Sequence, residues 1–212
     1  MISHADIDMG KSTSRRNTNF QTIRIMAIDD CKYRTRTYIA GDWTGDFDLI
    51  NQLHEWNDNN HLNLNFVDVH ELTQSSDNTL NCNIKKSLRK RLNITKTFVL
   101  IVGEHTSAVT SGACFICKYY RKWHTIPPSC IKDYSIDNRS YIQYECEMAL
   151  KDYKSGLLRN IVVIYNGLIN PIKDRCPELL QDVGIHIGSD SRNDKGELCW
   201  NYAEIKDAIL GK

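Results

Sequence analysis

A chain of 212 residues that is 41% hydrophobic and 25% charged has ordinary globular composition, enough for one core and a tail. Its formal net charge of +1 lacks the basic excess of a dedicated nucleic-acid binder, and no run approaches the roughly 18 apolar residues of a membrane-spanning helix. The eight cysteines are scattered rather than arranged as a secreted disulfide framework, which predicts reduced thiols and a cytoplasmic location.

Residues 1–21 (MISHADIDMGKSTSRRNTNFQ) are polar, offer no apolar secretory signal and read as a disordered leader. Within them, Gly10-Lys11-Ser12-Thr13 imitates the end of a phosphate-binding loop. Ala5 stands where that motif needs its first glycine, and no strand precedes it, so a polar tail is the better reading. The domain proper is expected over 22–212.

Residues 22–28 (TIRIMAI) and 35–40 (TRTYIA) are short β-branched and apolar runs, hence strands. Asp29-Asp30 after the first, with Asp68 further on, resembles the acidic cluster of a response-regulator receiver. A receiver also wants a lysine after its last core strand, where this chain has Asn166-Gly167; solvated turn carboxylates fit better. The turn Gly41-Asp42-Trp43-Thr44-Gly45 leads into a helix over 46–57 with Leu49, Ile50, Leu53 and Trp56 at helical spacing, and Thr44 or Asp46 can cap it. Residues 62–69 (LNLNFVDV) alternate with period two. A helix over 80–93 sets Ile84, Leu88 and Leu92 one turn apart. Lys85, Lys86, Arg89, Lys90 and Arg91 lie elsewhere around it, as a solvated basic face or a grip on phosphates.

Residues 96–103 (KTFVLIVG) and 160–165 (NIVVIY) are nearly continuous apolar runs, the mark of parallel strands covered on both faces. A helix over 140–154, a short helix around 177–181, a strand at 185–187 and a helix over 202–210 complete the series. The alternation predicts an α/β fold: a flavodoxin-like, open, mainly parallel sheet of about five strands with helices on both faces. The insertion 104–139 lacks periodicity and is long for a loop, which signals function or a local staple.

That insertion holds Cys114 and Cys117 at C-x2-C spacing, with Cys130 twelve residues on. Two such thiolates can reach one tetrahedral zinc, so a structural zinc is a candidate, with Cys146 or His124 as fourth ligand; free or redox-active thiols are the alternative. Just beyond, Ser140 is a good helix N-cap. Tyr141, Glu145 and Met148 then fall on one line of that helix, with Tyr144 beside them and Glu147 off the stripe. A carboxylate among apolar neighbours has its neutral form favoured, which suits site chemistry. On this pattern alone, a surface glutamate with its stem on the stripe is the better reading.

The order Thr37-Tyr-Ile-Ala-Gly-Asp42, a helix ending Leu53-His-Glu-Trp56, Phe66-Val-Asp-Val-His70, then Ile84-Lys-Lys-Ser-Leu-Arg-Lys-Arg-Leu92 leading into Phe98-Val-Leu-Ile-Val-Gly-Glu104 resembles the TIR-like proteins of bacterial Thoeris defence. So does Tyr141-Ile-Gln-Tyr-Glu145, set against the family's Trp-Val-Arg-Tyr-Glu-like segment. The likeness runs from about residue 35 to 165. It implies a TIR-like fold. Enzymatic members cleave the nicotinamide–ribose bond of NAD and make a cyclic ADP-ribose-type signal that activates a separate effector during phage infection. By that resemblance Glu145 is the catalytic carboxylate and NAD is the substrate, with no further cofactor needed. Asp42 and Trp43, at a strand's carboxyl end, and Tyr141, where the family usually has Trp, are placed to line the pocket. The implied partners are NAD, the effector and further copies of the chain, with neither nucleic acid nor membrane. A TIR-like module that only self-associates or docks a partner is the competing expectation.

Overall fold

The structure, a computed structural model, describes residues 34, 36–59, 66–67, 80–121, 129–132 and 135–212. The leader, the expected strand at 22–28, Asp29, Asp30, Asp68 and His124 lie outside the described residues. Along the chain run β1 (Arg36–Ala40), α1 (Phe47–Asp58), β2 (Phe66–Val67), α2 (Asn81–Leu92), β3 (Thr95–Val102), β4 (Tyr120–Arg121), β5 (Ser129–Cys130), α3 (Tyr141–Lys154), β6 (Asn160–Tyr165), β7 (Ile185–Gly188), β8 (Asp190–Arg192), β9 (Leu198–Trp200) and α4 (Tyr202–Leu210).

Five strands pair in the order β2-β1-β3-β6-β7, every neighbour parallel. The apolar runs predicted as central strands are the two at the middle, and their register runs from Thr97 opposite Asn160 to Val102 opposite Tyr165. Strand periodicity divides the core in two. Tyr38, Ala40, Phe98, Leu100, Ile161 and Val163 face one side, where α2 (Leu88, Leu92) and α3 (Ile142, Cys146, Ala149) cover them. Ile39, Val99, Ile101, Val162 and Ile164 face the other, under α1 (Leu49, Ile50, Leu53) and α4 (Ile205, Ile209). Each large side chain so buried contributes roughly 1.5–3 kcal/mol of transfer free energy. This is the expected flavodoxin-like α/β sandwich. The order of strands reverses between β1 and β3, and ligands of open α/β sheets bind beyond the carboxyl ends at such a point.

Two local expectations need correction. The predicted basic face of α2 is not uniformly solvated. Lys85 is buried and donates to the carbonyls of Asp137 (3.1 Å) and Arg139 (2.6 Å), while Arg89 pairs with Asp152 at 3.0 Å. Asp46 stands at the N-cap position of α1 but its side chain caps nothing. It accepts instead from Asn166 Nδ2 (3.1 Å) and the Asp42 N–H (3.3 Å), tying the loop after β1 to the end of β6. A side chain at Gly103 would put Cβ 2.3 Å from Asp46 Oδ1, so glycine is required there. The antiparallel pairs β4–β5 and β8–β9 had no counterpart in the sequence reading.

Asp152 closes the last turn of α3. Its buried carboxylate takes Arg34 at 2.9 Å and Arg89 at 3.0 Å, and Arg34 also donates to the Leu92 carbonyl. Asp152→Ala leaves Arg34 buried with one of its partners gone, and we expect a loss of about 3 kcal/mol, read as a lower urea midpoint at unchanged slope.

Candidate active site

Glu145 projects from α3 toward β1, and it is 5% exposed. This decides between the two readings its helical position allowed: the carboxylate is inside, not on the surface. The helix that carries it starts where the sequence suggested. Ser140 Oγ accepts the Gln143 N–H and Gln143 Oε1 accepts the Ser140 N–H, a reciprocal capping box that fixes the first turn. Within the core, the Tyr38 hydroxyl donates a short hydrogen bond to Glu145 Oε1. Burial pushes the Glu145 carboxyl up to about 7, with the Tyr38 hydrogen bond opposing it. Burial and the neighbouring Glu145 push the Tyr38 phenol well above its ordinary range, so it stays a donor.

Glu145 opens onto a cavity of about 140 Å³ lined by the ends of three segments: Gly41, Asp42 and Trp43 after β1, Val109 and Ser111 from the insertion, and Tyr141 and Ile142 from α3. Asp42, Trp43, Tyr141 and Glu145, the four residues singled out in the sequence, thus meet at one site. Asp42 Oδ1 accepts the Thr44 N–H at 3.1 Å, and its other oxygen takes no donor among the described residues. The Tyr141 phenol donates to Asn81 Oδ1 at 3.0 Å, and its N–H bonds Ser111 at 2.7 Å. Burial raises this phenol to about 12. Tyr144, by contrast, turns outward to lie under Arg139, 4.9 Å from ring centroid to guanidinium.

The insertion 104–139 walls this cavity, and the described part of it is stapled by hydrogen bonds. Asn81 Nδ2 donates to the Ala113 carbonyl, Cys114 N–H to the Asp137 carbonyl, and Lys85 holds Asp137 and Arg139. Arg139 grips both oxygens of Asp137, which lowers that carboxyl to about 2. The proposed zinc ligands are not drawn together. Cys114 Sγ accepts the Asp137 N–H, Cys130 lies in β5 opposite Tyr120, and no group of three metal-ligating side chains forms among the described residues. The described part of the loop is held by these hydrogen bonds.

A wider cleft of about 820 Å³ lies on the other side of α3, against Arg139, Gln143, Glu147, Cys176 and Glu178. Arg139 in its wall is already paired with Asp137 and Glu147. The smaller cavity is the better candidate because it converges on a buried, perturbed carboxylate at the switch point of the sheet. Tyr38 is the member of this site that the sequence reading missed. The signal was a tyrosine in a strand otherwise reading as core, since a buried phenol needs a partner.

Residues 38–110 match the family described as Thoeris protein ThsB, TIR-like domain. The match supports the resemblance read from the sequence. It covers less than half of the chain, from β1 into the turn after β3, and so includes Tyr38, Asp42 and Trp43 but ends before Tyr141 and Glu145. No curated protein matches the chain.

Two expectations follow from this geometry. The folded-state ionisation of Glu145 at about 7 lies above the unfolded value near 4.3, so its contribution to stability is fully present below about pH 4 and lost as pH rises through about 7, roughly 3–4 kcal/mol across that window. Glu145→Gln cannot ionise and keeps an acceptor for Tyr38. It should therefore exceed the wild type in urea stability at pH 8 by that order, a margin absent at pH 4.5. Gly112 sits at φ +95°, where a Cβ would meet the Tyr141 ring at 2.5 Å. Gly112→Ala should cost about 1–3 kcal/mol in thermal unfolding.

Proposed function

We propose that this protein is a TIR-like enzyme that cleaves the nicotinamide–ribose bond of NAD and makes a cyclic ADP-ribose-type signal in antiphage defence, the signal acting on a separate nucleotide-sensing effector. The observation that carries the reading is the buried Glu145 carboxylate opening onto a small cavity between the carboxyl end of β1 and α3.

Breaking the glycosidic bond moves its electron pair onto the nicotinamide nitrogen, so a cationic ring leaves neutral and positive charge develops on the ribose. No acid is needed for the leaving group. What lowers the barrier is a fixed negative charge beside the ribose in a site poor in water, where electrostatic stabilisation is strong. Glu145, once ionised, supplies it. The same carboxylate can accept a hydrogen bond from a ribose hydroxyl. The ribosyl cation is then captured either by water, which gives up a proton, or by a nucleophilic atom of the same ADP-ribose, which closes a ring. Exclusion of water favours the second route.

About 140 Å³ is below the range of roughly 300–1,000 Å³ for a whole ligand. It suits one ring with part of its sugar, with Tyr141 and Trp43 as walls for the aromatic face. Asp42, with one oxygen uncommitted, is placed to accept from the carboxamide or the ribose. The ADP portion would then extend outward past Val109 and Ser111.

The test is nicotinamide release from NAD by the purified chain, followed chromatographically in the presence of an infection-derived trigger. Glu145→Gln should slow release at least a hundredfold, the usual loss when a key electrostatic group is removed. A triggered wild type that releases nothing, or a Glu145→Gln variant as active as wild type, would overturn the enzymatic reading and leave a module that works by self-association or docking.

A further inference from the structure

We propose that Tyr38 is a positioning residue for Glu145: its phenol fixes Oε1 within the protein, so that Oε2 is the oxygen presented to whatever enters the cavity. Its catalytic consequence rests on the reading of Glu145 given above, but its effect on the carboxylate does not.

Tyr38 is in no position to move. It is fully buried in β1, paired to Val67 on one side and Phe98 on the other, and its ring stacks on that of Phe98 at 5.7 Å and 25°. Its neighbours on that face of the sheet, Ala40, Phe98 and Leu100, are apolar, so phenylalanine would pack there as well. A hydroxyl in such surroundings is costly to bury unless it is bonded. Its partner is a carboxylate on a different element, 107 residues away in sequence. Pinning one carboxylate oxygen removes rotation about the last side-chain bond and leaves a single oxygen for the cavity.

The charges around the pair define what else acts on it. From α2, Arg91 favours the ionised phenol, and Cys146 on α3 opposes it. Lys85 and Arg89, also on α2, are engaged by Asp137 and Asp152. Cys176, packed under α3, acts on Cys146. Asp42 stands across the cavity with one oxygen taken by Thr44. The Tyr38 hydroxyl is thus the group that favours ionised Glu145 against the burial that opposes it. Removing it should make the carboxylate harder to ionise as well as freer to rotate.

Tyr38→Phe tests this with two measurements. The first needs no substrate: the Glu145 carboxyl is titrated by carbon-13 NMR on protein labelled at the glutamate side-chain carboxyl, its signal identified by loss in Glu145→Gln. We expect the midpoint to move from about 7 upward by about one pH unit, a roughly fivefold drop in the ionised fraction at pH 7. A midpoint that stays put overturns the proposal. The second is NAD cleavage, where kcat should fall roughly tenfold with KM little changed, and the rising limb of the kcat profile should move up with the midpoint. A merely structural tyrosine would lower stability and leave both midpoint and limb in place. If triggered wild type releases no nicotinamide, the proposed function fails while the titration still decides the role of Tyr38. Should Tyr38→Phe not fold, 3-fluorotyrosine placed at position 38 keeps the shape and donates more strongly. The midpoint must then fall, and an unchanged one overturns the proposal.

Discussion

Two carboxylates on one helix are buried, and they are held by opposite means. Asp152, near the end of α3, faces two guanidinium groups, Arg34 and Arg89. Glu145, two turns earlier, is given one neutral donor, Tyr38. Among the described residues desolvation is then unmatched by any opposite charge, and the carboxyl is left near the middle of its titration at neutral pH. A buried charge that is to stabilise a passing cation has to be under-compensated in the resting protein, because a permanent cation beside it would occupy the place of the substrate. The contact between β1 and α3 is arranged around that deficit: strand and helix pack through Tyr38, Ile142 and Cys146, and the cavity opens where their apolar contact stops.

The wall opposite is made by the insertion, whose first turns hold short 3-10 helices at Thr106–Ala108 and Cys114–Ile116, and it is held by donors from outside. Lys85 and Asn81 on α2 reach carbonyls at residues 113, 137 and 139, supplying partners to backbone groups that a long loop would otherwise leave unsatisfied. Gly112 completes the arrangement by letting the Tyr141 ring lie against the backbone, with the Tyr141 phenol returning to Asn81. Asn81 therefore bonds both the loop and the aromatic side chain, and coupling between the two runs through a single amide. The cysteines of the loop are bystanders to this network, apart from Cys114, whose sulfur takes one backbone N–H.

The architecture was legible because it depends on periodicity. Runs such as 96–102 and 160–165 are apolar on both faces, and only a covered parallel strand accounts for that; α4 and the Ser140 N-cap of α3 were readable from spacing and residue type alone. The site was legible in part. Position on α3 could place Glu145 on an apolar stripe, but whether a stripe is covered depends on what lies across it, and Tyr38 is 107 residues distant. For the same reason Lys85 read as one more charge on a basic helix, when its long stem and terminal ammonium cross to the insertion. The hairpins β4–β5 and β8–β9 escaped because each strand is two or three residues long, shorter than the alternation needed to recognise one.

The position of the cavity bears on selectivity. At the switch between β1 and β3 the helices α1 and α2 leave the sheet on opposite faces, and the gap between them is bounded by the loop after β1 on one side and by α3 on the other. Asp46 holds that loop from beneath, joined to Asn166 at the end of β6 and to the Asp42 N–H, with its carboxyl raised by burial. The floor is thus fixed by strand ends and the walls by hydrogen bonds, so the space for a ring is defined before any ligand arrives. What such a cavity can discriminate is shape and charge at one end of a molecule. A flat cationic ring meets aromatic side chains and a carboxylate that ionises more readily in its presence, whereas a neutral ring of the same outline gains only the packing. On the proposed NAD-cleaving reading, recognition of the rest of the dinucleotide would fall to surfaces beyond Val109 and Ser111, and differences in product would be set there rather than at Glu145.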